Sequence, residues 1–223
     1  MRRPRWDGGH GAPSADVEPL SSDAVRLGAA VVAIGASTGG PAALLQILSG
    51  LSPAFPAPIL VVQHMSAGFT NGLAHWLAGA SVWPVHVTSG GESPLPGHVY
   101  LAPDDHHLRV GLRGEMQTSR DDPHYGHRPS VGILFRSVAG RFGPRAIGVL
   151  LTGMGRDGAA ELKLMADRGA LTVAQDAASC VVFGMPAEAI KLGAARCVLP
   201  LHRIAELLTS AVWRGLRPGD IHV

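Results

Sequence analysis

Short apolar runs recur along the chain, and each is followed by a polar or glycine-rich stretch and then by a segment with helical spacing. The first run, 31–34, reads Val-Val-Ala-Ile and leads through glycines to Pro41 and an Ala/Leu-rich segment that ends at Leu48. A continuous apolar run is typical of a strand buried on both faces, and proline fits the first turn of a helix. Residues 31–48 therefore predict a strand, a tight turn and a helix.

The same alternation continues along the chain. We expect further strands at 58–64, 85–87, 146–151, 171–174 and 197–199, and further helices at 69–77, 130–142, 159–167, 185–192 and across the apolar stripe at 204–212. In the helix at 130–142, apolar residues at 131, 134, 135, 138 and 142 form one core-facing stripe. Strands that alternate with helices predict an α/β fold: a doubly wound, mostly parallel sheet with helices on both faces.

Two parts of the chain differ from this alternation. Apolar residues at 98–103 and 107–110 flank the polar residues 104–106, which predicts a small antiparallel hairpin. Residues 1–27 are rich in Gly, Pro, Ser and Asp without a sustained period, so we expect a disordered leader. The predicted organisation is thus this leader, one domain at 28–216 and a tail at 217–223.

Composition narrows the class of protein. The 223 residues suit one α/β domain, and a hydrophobic content of 46% with 16% charged residues is typical of a globular protein. The formal net charge is +2, the only lysines are Lys163 and Lys191, and the arginines form no run, so nucleic-acid binding has no support.

Cysteine usage and hydropathy bear on location. Cys180 and Cys197 lie in apolar stretches and form no Cys-x-x-Cys pair, which indicates buried thiols in a reducing cytoplasm. The N-terminal arginines are not followed by an apolar segment, and no apolar run reaches the ~18 residues of a membrane span. We therefore expect a cytoplasmic protein without membrane insertion.

The glycine turn after the first strand contains the first candidate for chemistry. Residues 35–39 read Gly-Ala-Ser-Thr-Gly, which matches the Gly-x-Ser-x-Gly elbow that exposes a nucleophilic serine. Two other interpretations stay open: Ser37 merely caps the helix, or the turn binds a phosphate at the helix N-terminus. The phosphate interpretation is weaker, because neither Gly-x-Gly-x-x-Gly nor Gly-x4-Gly-Lys occurs.

Ser37, His64 and Asp157 each follow a predicted strand of the parallel sheet. Parallel strands present their carboxyl ends at one edge, where open α/β proteins bind ligands. A hydroxyl, an imidazole and a carboxylate at one edge form the arrangement that activates a serine. Taken singly, Asp157 can instead cap the following helix, and His64 can bond a carbonyl.

Six segments, in order, resemble the catalytic domain of CheB-type chemotaxis protein-glutamate methylesterases. They are GASTGGP at 35–41, QHM at 63–65, PGHVYLAP at 96–103, HRPSV at 127–131, LTGMGRDGA at 151–159 and QDAASCVVFGMPAEAI at 175–190. The resemblance implies a serine hydrolase that removes methyl esters from chemoreceptor glutamates and deamidates certain receptor glutamines. It places the catalytic triad on Ser37, His64 and Asp157, and it implies no metal or other cofactor.

The glycine-flanked loops around Thr38 and Met154 suggest their backbone N–H groups as oxyanion donors. Two positions depart from the family pattern: Gly132 stands where Asp is usual, and Ser66-Ala67 stand where Pro-Pro is usual. Residues 1–27 are too short for the receiver domain that family members usually carry. We therefore expect a protein that is active as isolated or controlled by a separate regulatory chain, with a methyl-accepting chemoreceptor as its substrate partner.

Three other functions compete with this one. An ordinary α/β-hydrolase orders its triad Ser, Asp, His along the chain, whereas the order here is Ser, His, Asp, which argues against that class. A metal hydrolase is conceivable from residues 104–107 with His124 and His127, although a hairpin and a polar loop explain them without a metal. The third alternative is a non-catalytic scaffold of the same fold that binds receptors or signalling partners.

Overall fold

The computed structural model describes residues 31–214, in which seven parallel strands form one sheet. The spatial order of the strands is β3-β4-β2-β1-β7-β8-β9. Their bounds are β1 (Val31–Ala36), β2 (Ile59–Gln63), β3 (Val85–Val87), β4 (Val99–Leu101), β7 (Ala146–Leu150), β8 (Leu171–Gln175) and β9 (Cys197–Leu199). The predicted leader at 1–27, the domain's first residues and the tail at 217–223 lie outside the described residues.

Six helices cover the two faces of this sheet within residues 31–214. They are α1 (Gly40–Gly50), α2 (Thr70–Ala80), α3 (Val131–Phe142), α4 (Ala159–Asp167), α5 (Met185–Lys191) and α6 (Leu201–Arg214). Buried side chains of α1, α2 and α6 pack on one face, and those of α3, α4 and α5 pack on the other. The predicted doubly wound α/β fold is confirmed. No helix among these residues is long and apolar enough to cross a membrane.

The central strand β1 is buried throughout because both faces of the sheet are covered. Val32, Ile34 and Ala36 point into one core, whereas Val31 and Ala33 point into the other. This two-sided burial explains why the strand reads as a continuous apolar run and not as an alternating pattern.

The predicted small antiparallel hairpin is present, but its predicted position, with 98–103 paired to 107–110, is wrong. Val99–Leu101 is β4, fully buried in the large sheet and parallel to both β2 and β3. The real hairpin pairs β5 (His107–Val110) with β6 (Met116–Ser119), and its reversal lies at 111–115, where Gly114 has a φ of +93°. Three apolar residues carry no period that separates a central parallel strand from a hairpin strand, so only the pairing in the fold decides.

The chain order places a switch point at β1. The connection through α1 leads from β1 to β2 on one side, and β7 pairs with β1 on the other side. Open α/β sheets bind ligands at such a point, beyond the carboxyl ends of the strands. Ser37, His64 and Asp157 follow β1, β2 and β7, which are the three adjacent central strands.

Candidate active site

Asp157 is the most enclosed of the three predicted site residues, with 1% of its surface exposed. Its Oδ2 accepts hydrogen bonds from His64 Nε2 at 2.9 Å and from the Val131 backbone N–H at 2.7 Å. Its Oδ1 accepts from the Ser130 hydroxyl at 2.8 Å and from the Gly132 N–H at 3.0 Å. Four donors thus converge on one buried carboxylate.

The electrostatics of Asp157 follow from this environment. Burial by itself would raise the pKa of the carboxyl, but the hydrogen bonds from His64 and Ser130 outweigh it, and the pKa is lowered. The N-terminus of α3 adds a favourable dipole, because Val131 and Gly132 belong to its first turn. Asp157 is therefore ionised at neutral pH.

Asp157 caps a helix, but not the one that its position in sequence suggests. The helix that follows it, α4, has Gly158 at its N-cap position, and no side chain of the described residues 31–214 caps it. The carboxylate instead reaches the first turn of α3, a helix that precedes it in the chain. The interpretation of Asp157 as the cap of the next helix is wrong.

The orientation of the His64 ring follows from its partner. A carboxylate only accepts hydrogen bonds, so Nε2 of His64 carries the proton in its bond to Asp157. In the neutral ring Nδ1 is then an acceptor. Nδ1 is buried and has no hydrogen-bond partner among residues 31–214. His64 thus has one nitrogen fixed and the other available.

Ser37 lies at the end of β1, beside His64. Its N–H donates to the Thr152 carbonyl at 3.0 Å, and its carbonyl accepts from the Gly40 N–H at 2.8 Å, which closes the turn. Within residues 31–214, no hydrogen bond joins the Ser37 hydroxyl to the His64 ring. The structure joins His64 to Asp157 directly and links Ser37 to His64 through the backbone and Gln63.

Gln63 connects the serine turn to the histidine. Its Nε2 donates to the carbonyls of Ser37 and His64, both at 2.8 Å. The His64 N–H also donates to the Ala36 carbonyl at 2.9 Å. Flipping the Gln63 amide would bring its oxygen against two carbonyl oxygens, so the orientation is determined. One side chain therefore fixes the spacing of the two backbones.

The loop after β7 packs directly on the serine turn. A Cβ on Gly153 would lie 2.6 Å from the Ser37 Cβ, so the close approach requires glycine. The Thr152 hydroxyl donates to the Thr38 carbonyl at 2.9 Å. The N–H groups of Thr38 and Met154, the predicted oxyanion donors, have no hydrogen-bond partner within the described part of the chain.

A tight turn at 124–127 contacts His64 through its last residue. His124 and His127 exchange two backbone hydrogen bonds of 3.1 and 3.0 Å, and Tyr125 and Gly126 have φ values of +51° and +79°. The His127 ring stacks on His64, with centroids 4.0 Å apart. Burial, then the neighbouring His64, lower the pKa of His127, against an opposing contribution from Asp157. Its ring is neutral at neutral pH.

A cavity of about 640 Å³ opens beside these residues. It is lined by Tyr125, His127, Gly155, Arg156, Asp157 and Glu188. The Arg156 guanidinium lies 5.1 Å from the centre of the Tyr125 ring. The cavity thus combines an aromatic face, a cation and the edge of the His64–Asp157 pair.

Sequence reasoning did not identify Gln63 or Ser130 as site residues, and it named His127 only as a possible ligand in the metal-hydrolase alternative. All three lie inside the motifs quoted above, next to His64 or ahead of α3, and this proximity was the only available signal. The residues of the metal-hydrolase alternative have other partners. Asp104 accepts from Gly68 N and Thr70 Oγ1 at the start of α2, and no group of three candidate ligands converges within residues 31–214.

The fold and this site define a doubly wound α/β protein that presents a glycine-turn serine beside a buried histidine–aspartate pair. The family model for CheB methylesterase matches residues 32–208. The chain belongs to the CheB methylesterase family, which confirms the resemblance seen in its motifs.

Similar proteins agree with this assignment. A protein-glutamate methylesterase/protein-glutamine glutaminase of Nitrosospira multiformis is 55% identical over 184 residues, covering 82% of this chain and 52% of the relative. One from Geobacter metallireducens is 49% identical over 210 residues, covering 94% and 59%. The CheB methylesterase catalytic domain of Thermotoga maritima is similar with a TM-score of 0.79 and 40% identity, covering 82% of this chain and 98% of that domain. The chain spans about half the length of the two curated relatives.

Proposed function

We propose that this chain is a serine hydrolase that removes methyl esters from glutamate side chains of chemoreceptors and converts certain receptor glutamines to glutamate. The proposed triad is Ser37, His64 and Asp157. The observation that carries the proposal is the His64 ring, which is held by Asp157 through Nε2 while its buried Nδ1 has no hydrogen-bond partner within residues 31–214. This arrangement supplies a base beside a serine held in a tight turn.

In the acylation step, Nδ1 of His64 takes the Ser37 hydroxyl proton while Oγ attacks the ester carbonyl. The Asp157 carboxylate stabilises the imidazolium that forms. When the tetrahedral intermediate collapses, His64 returns the proton to the leaving oxygen, and methanol departs. His64 then deprotonates a water molecule, which attacks the acyl carbon; as the bond to Oγ breaks, His64 returns this proton to Ser37 Oγ, giving glutamate and free Ser37. With a glutamine substrate, ammonia leaves in place of methanol.

The negative charge on the carbonyl oxygen needs donors during these steps. We assign this role to the N–H groups of Thr38 and Met154, which flank Ser37 from two loops and have no partner within residues 31–214. Each preorganised donor of this kind contributes about 3 kcal/mol of transition-state stabilisation in serine hydrolases.

The surface around Ser37 supports a protein substrate. Met154, Val181 and Phe183 are exposed by 75%, 69% and 40%, and Val181 lies directly beside the Gly39 backbone. Apolar residues in this pattern are typical of a groove that accepts one face of a helix. We propose that the helical cytoplasmic region of a methyl-accepting chemoreceptor binds here, and that the protein acts in the cytoplasm. We also propose that a separate regulatory chain controls this activity. Adding such a chain should change the rate of methanol release from methylated receptor.

The deciding experiment measures methanol release from a methylated receptor preparation. Wild type should release methanol, and Ser37→Ala should reduce the rate to background. Ser66→Ala, in the exposed loop after His64, is the matched control and should keep the wild-type rate. Receptor binding without turnover would support the scaffold alternative, and a strong preference for a small activated ester would indicate a general esterase.

A further inference from the structure

A second buried carboxylate lies close to Asp157. The proposed mechanism does not use it. Glu161, on α4, is 4% exposed. A Cβ on Gly132 of α3 would lie 2.7 Å from Glu161 Oε2 and 3.1 Å from Asp157 Oδ1. The two carboxylate oxygens flank this one point, so they are at most 5.8 Å apart. The missing side chain of Gly132 is what makes room for Glu161.

Glu161 has an anchor on the neighbouring helix. Its Oε1 accepts from Arg136 Nη2 at 2.9 Å, while its buried Oε2 has no hydrogen-bond partner within residues 31–214. The Arg136 side chain is 55% exposed, so the pair lies at the edge of the core. Burial of an ionised carboxylate is costly without such a partner.

His124 connects this ion pair to Asp157. Its Nε2 lies 3.8 Å from Glu161 Oε1 and 3.5 Å from Arg136 Nη2. Its Nδ1 is 3.2 Å from the Ser130 hydroxyl oxygen and 3.8 Å from Asp157 Oδ1. Because the Ser130 hydroxyl donates to Asp157, its oxygen accepts from His124, so Nδ1 of His124 carries a proton. The His124 ring therefore lies between two carboxylates.

His124 is connected to His64, the proposed catalytic base, through the backbone and ring of His127. His124 exchanges two hydrogen bonds with His127, whose ring stacks on His64. Any displacement of His124 would move the stacked ring as well, because the turn between them is only four residues long.

We propose that Glu161 is a positioning residue: it anchors Arg136, whose Nη2 lies 2.9 Å from Glu161 Oε1 and 3.5 Å from His124 Nε2, and thereby keeps the 124–127 turn and its His127 ring in place on His64. The inference rests on the proposed esterase function. The negative charge of the Glu161 carboxylate also favours the imidazolium form of His64. Within residues 31–214, the charged and titratable groups around the His64 ring and Glu161 are Asp157, His124, His127 and Arg136, with Arg156 and Glu188 across the cavity beside His127.

The first test is Glu161→Gln, which keeps the shape and removes the charge. We expect kcat on methylated receptor to fall about tenfold with KM unchanged, since displaced catalytic groups lower kcat. We also expect the acidic limb of the kcat/KM profile to move roughly 0.5 pH units lower, because a neutral side chain favours the imidazolium less. A merely structural role would not move this limb. Asp167→Asn, which removes an exposed carboxylate from the same helix, is the control and should match wild type.

The second test moves the carboxylate to α3. Gly132→Asp alone should lower activity, because its Cβ would lie 2.7 Å from Glu161 Oε2 and displace that carboxylate, and a third carboxylate beside Glu161 and Asp157 adds repulsion. Combined with Glu161→Ala, it should recover turnover to within about threefold of wild type, since one carboxylate again occupies the space. Failure of this double variant to improve on Glu161→Ala would contradict the inference.

A measurement without turnover separates the two proposals. Imidazole NMR resonances of His64 and His127 in the folded protein should shift on Glu161→Gln and stay unchanged on Asp167→Asn. Wild type without methanol release would overturn the proposed function, while these spectra still decide the role of Glu161. The positioning role of Glu161 would be overturned if Glu161→Gln left the imidazole resonances unchanged. It would also be overturned if the enzyme were active and Glu161→Gln changed neither kcat nor the acidic limb of the pH profile.

Discussion

The ring of His127 lies flat against the ring of His64, with centroids 4.0 Å apart and planes 7° from parallel. His64 is thereby held on two sides, by Asp157 at Nε2 and by an aromatic face. An aromatic pair of this kind contributes about 0.5–1.5 kcal/mol beyond its buried area. The stack therefore helps to hold the ring that we propose as the base for Ser37.

His127→Ala should lower turnover about tenfold at pH 7.5, because the loss of about 1 kcal/mol of stacking lets the His64 ring leave its productive orientation. His127→Phe keeps an aromatic face and should retain turnover within about threefold. Methanol release under saturating receptor compares the two. Equal loss in both variants would mean that His127 acts through its nitrogens and not through stacking.

Asp157→Asn should lower turnover by up to ~10⁴-fold, because the amide favours the wrong histidine tautomer. The structure adds a second effect. All four partners of the carboxylate are donors, so the amide NH2 meets at least one of them and costs about 1–3 kcal/mol of stability. Urea unfolding and methanol release should report the two losses separately. Near-wild-type turnover in a folded variant would remove Asp157 from the triad.

Gln63→Glu tests the link between the serine turn and the histidine. The Nε2 donor is replaced by an oxygen that faces the carbonyls of Ser37 and His64, so attraction becomes repulsion at both. We expect turnover to fall about 100-fold through misplacement of the two groups, with KM little changed. Gln117→Glu, at an exposed position in β6, is the matched control. If steady-state kinetics show no difference between these variants, Gln63 does not position the site.

Stability should decrease below neutral pH because of His107. This ring is fully buried; its Nδ1 accepts the Ser130 N–H and its Nε2 donates to the Asp122 carbonyl. Burial, the largest cause, lowers its pKa below 6.5, so the unfolded chain takes up the proton more readily than the folded protein. The free energy of unfolding therefore falls as the pH drops through about 6.5, and His127 adds to this loss.

Urea unfolding at several pH values between 5 and 8 measures this dependence. His107→Gln, which offers one acceptor and one donor without titrating there, should flatten it. Below the ordinary Asp pKa of 3.8, Asp157 adds a further loss, because its folded pKa is lowered and its protonation removes the bond from His64. A variant with the same slope as wild type between pH 7 and 5 would exclude His107 as the cause.

Local pattern alone determined much of this protein. The strand, glycine turn and helix at 31–50, the apolar stripe of α3 and the alternation of strands with helices follow from the periods of apolar residues and the placement of Gly and Pro. The carboxyl ends of parallel strands lie at one edge of the sheet. The alternation was therefore also enough to predict that Ser37, His64 and Asp157 lie at the same edge.

Only the tertiary structure decided which side chains meet. The contact between His64 and Asp157 joins residues 93 positions apart, and Asp157 caps α3 because the loop after β7 reaches that helix before α4 begins. The same holds for the space at Gly132 that admits Glu161. Such contacts depend on how two helices and three strands pack against each other. The spacing of apolar residues, two in a strand and 3.6 in a helix, shows which face of an element is buried but not which element packs against that face.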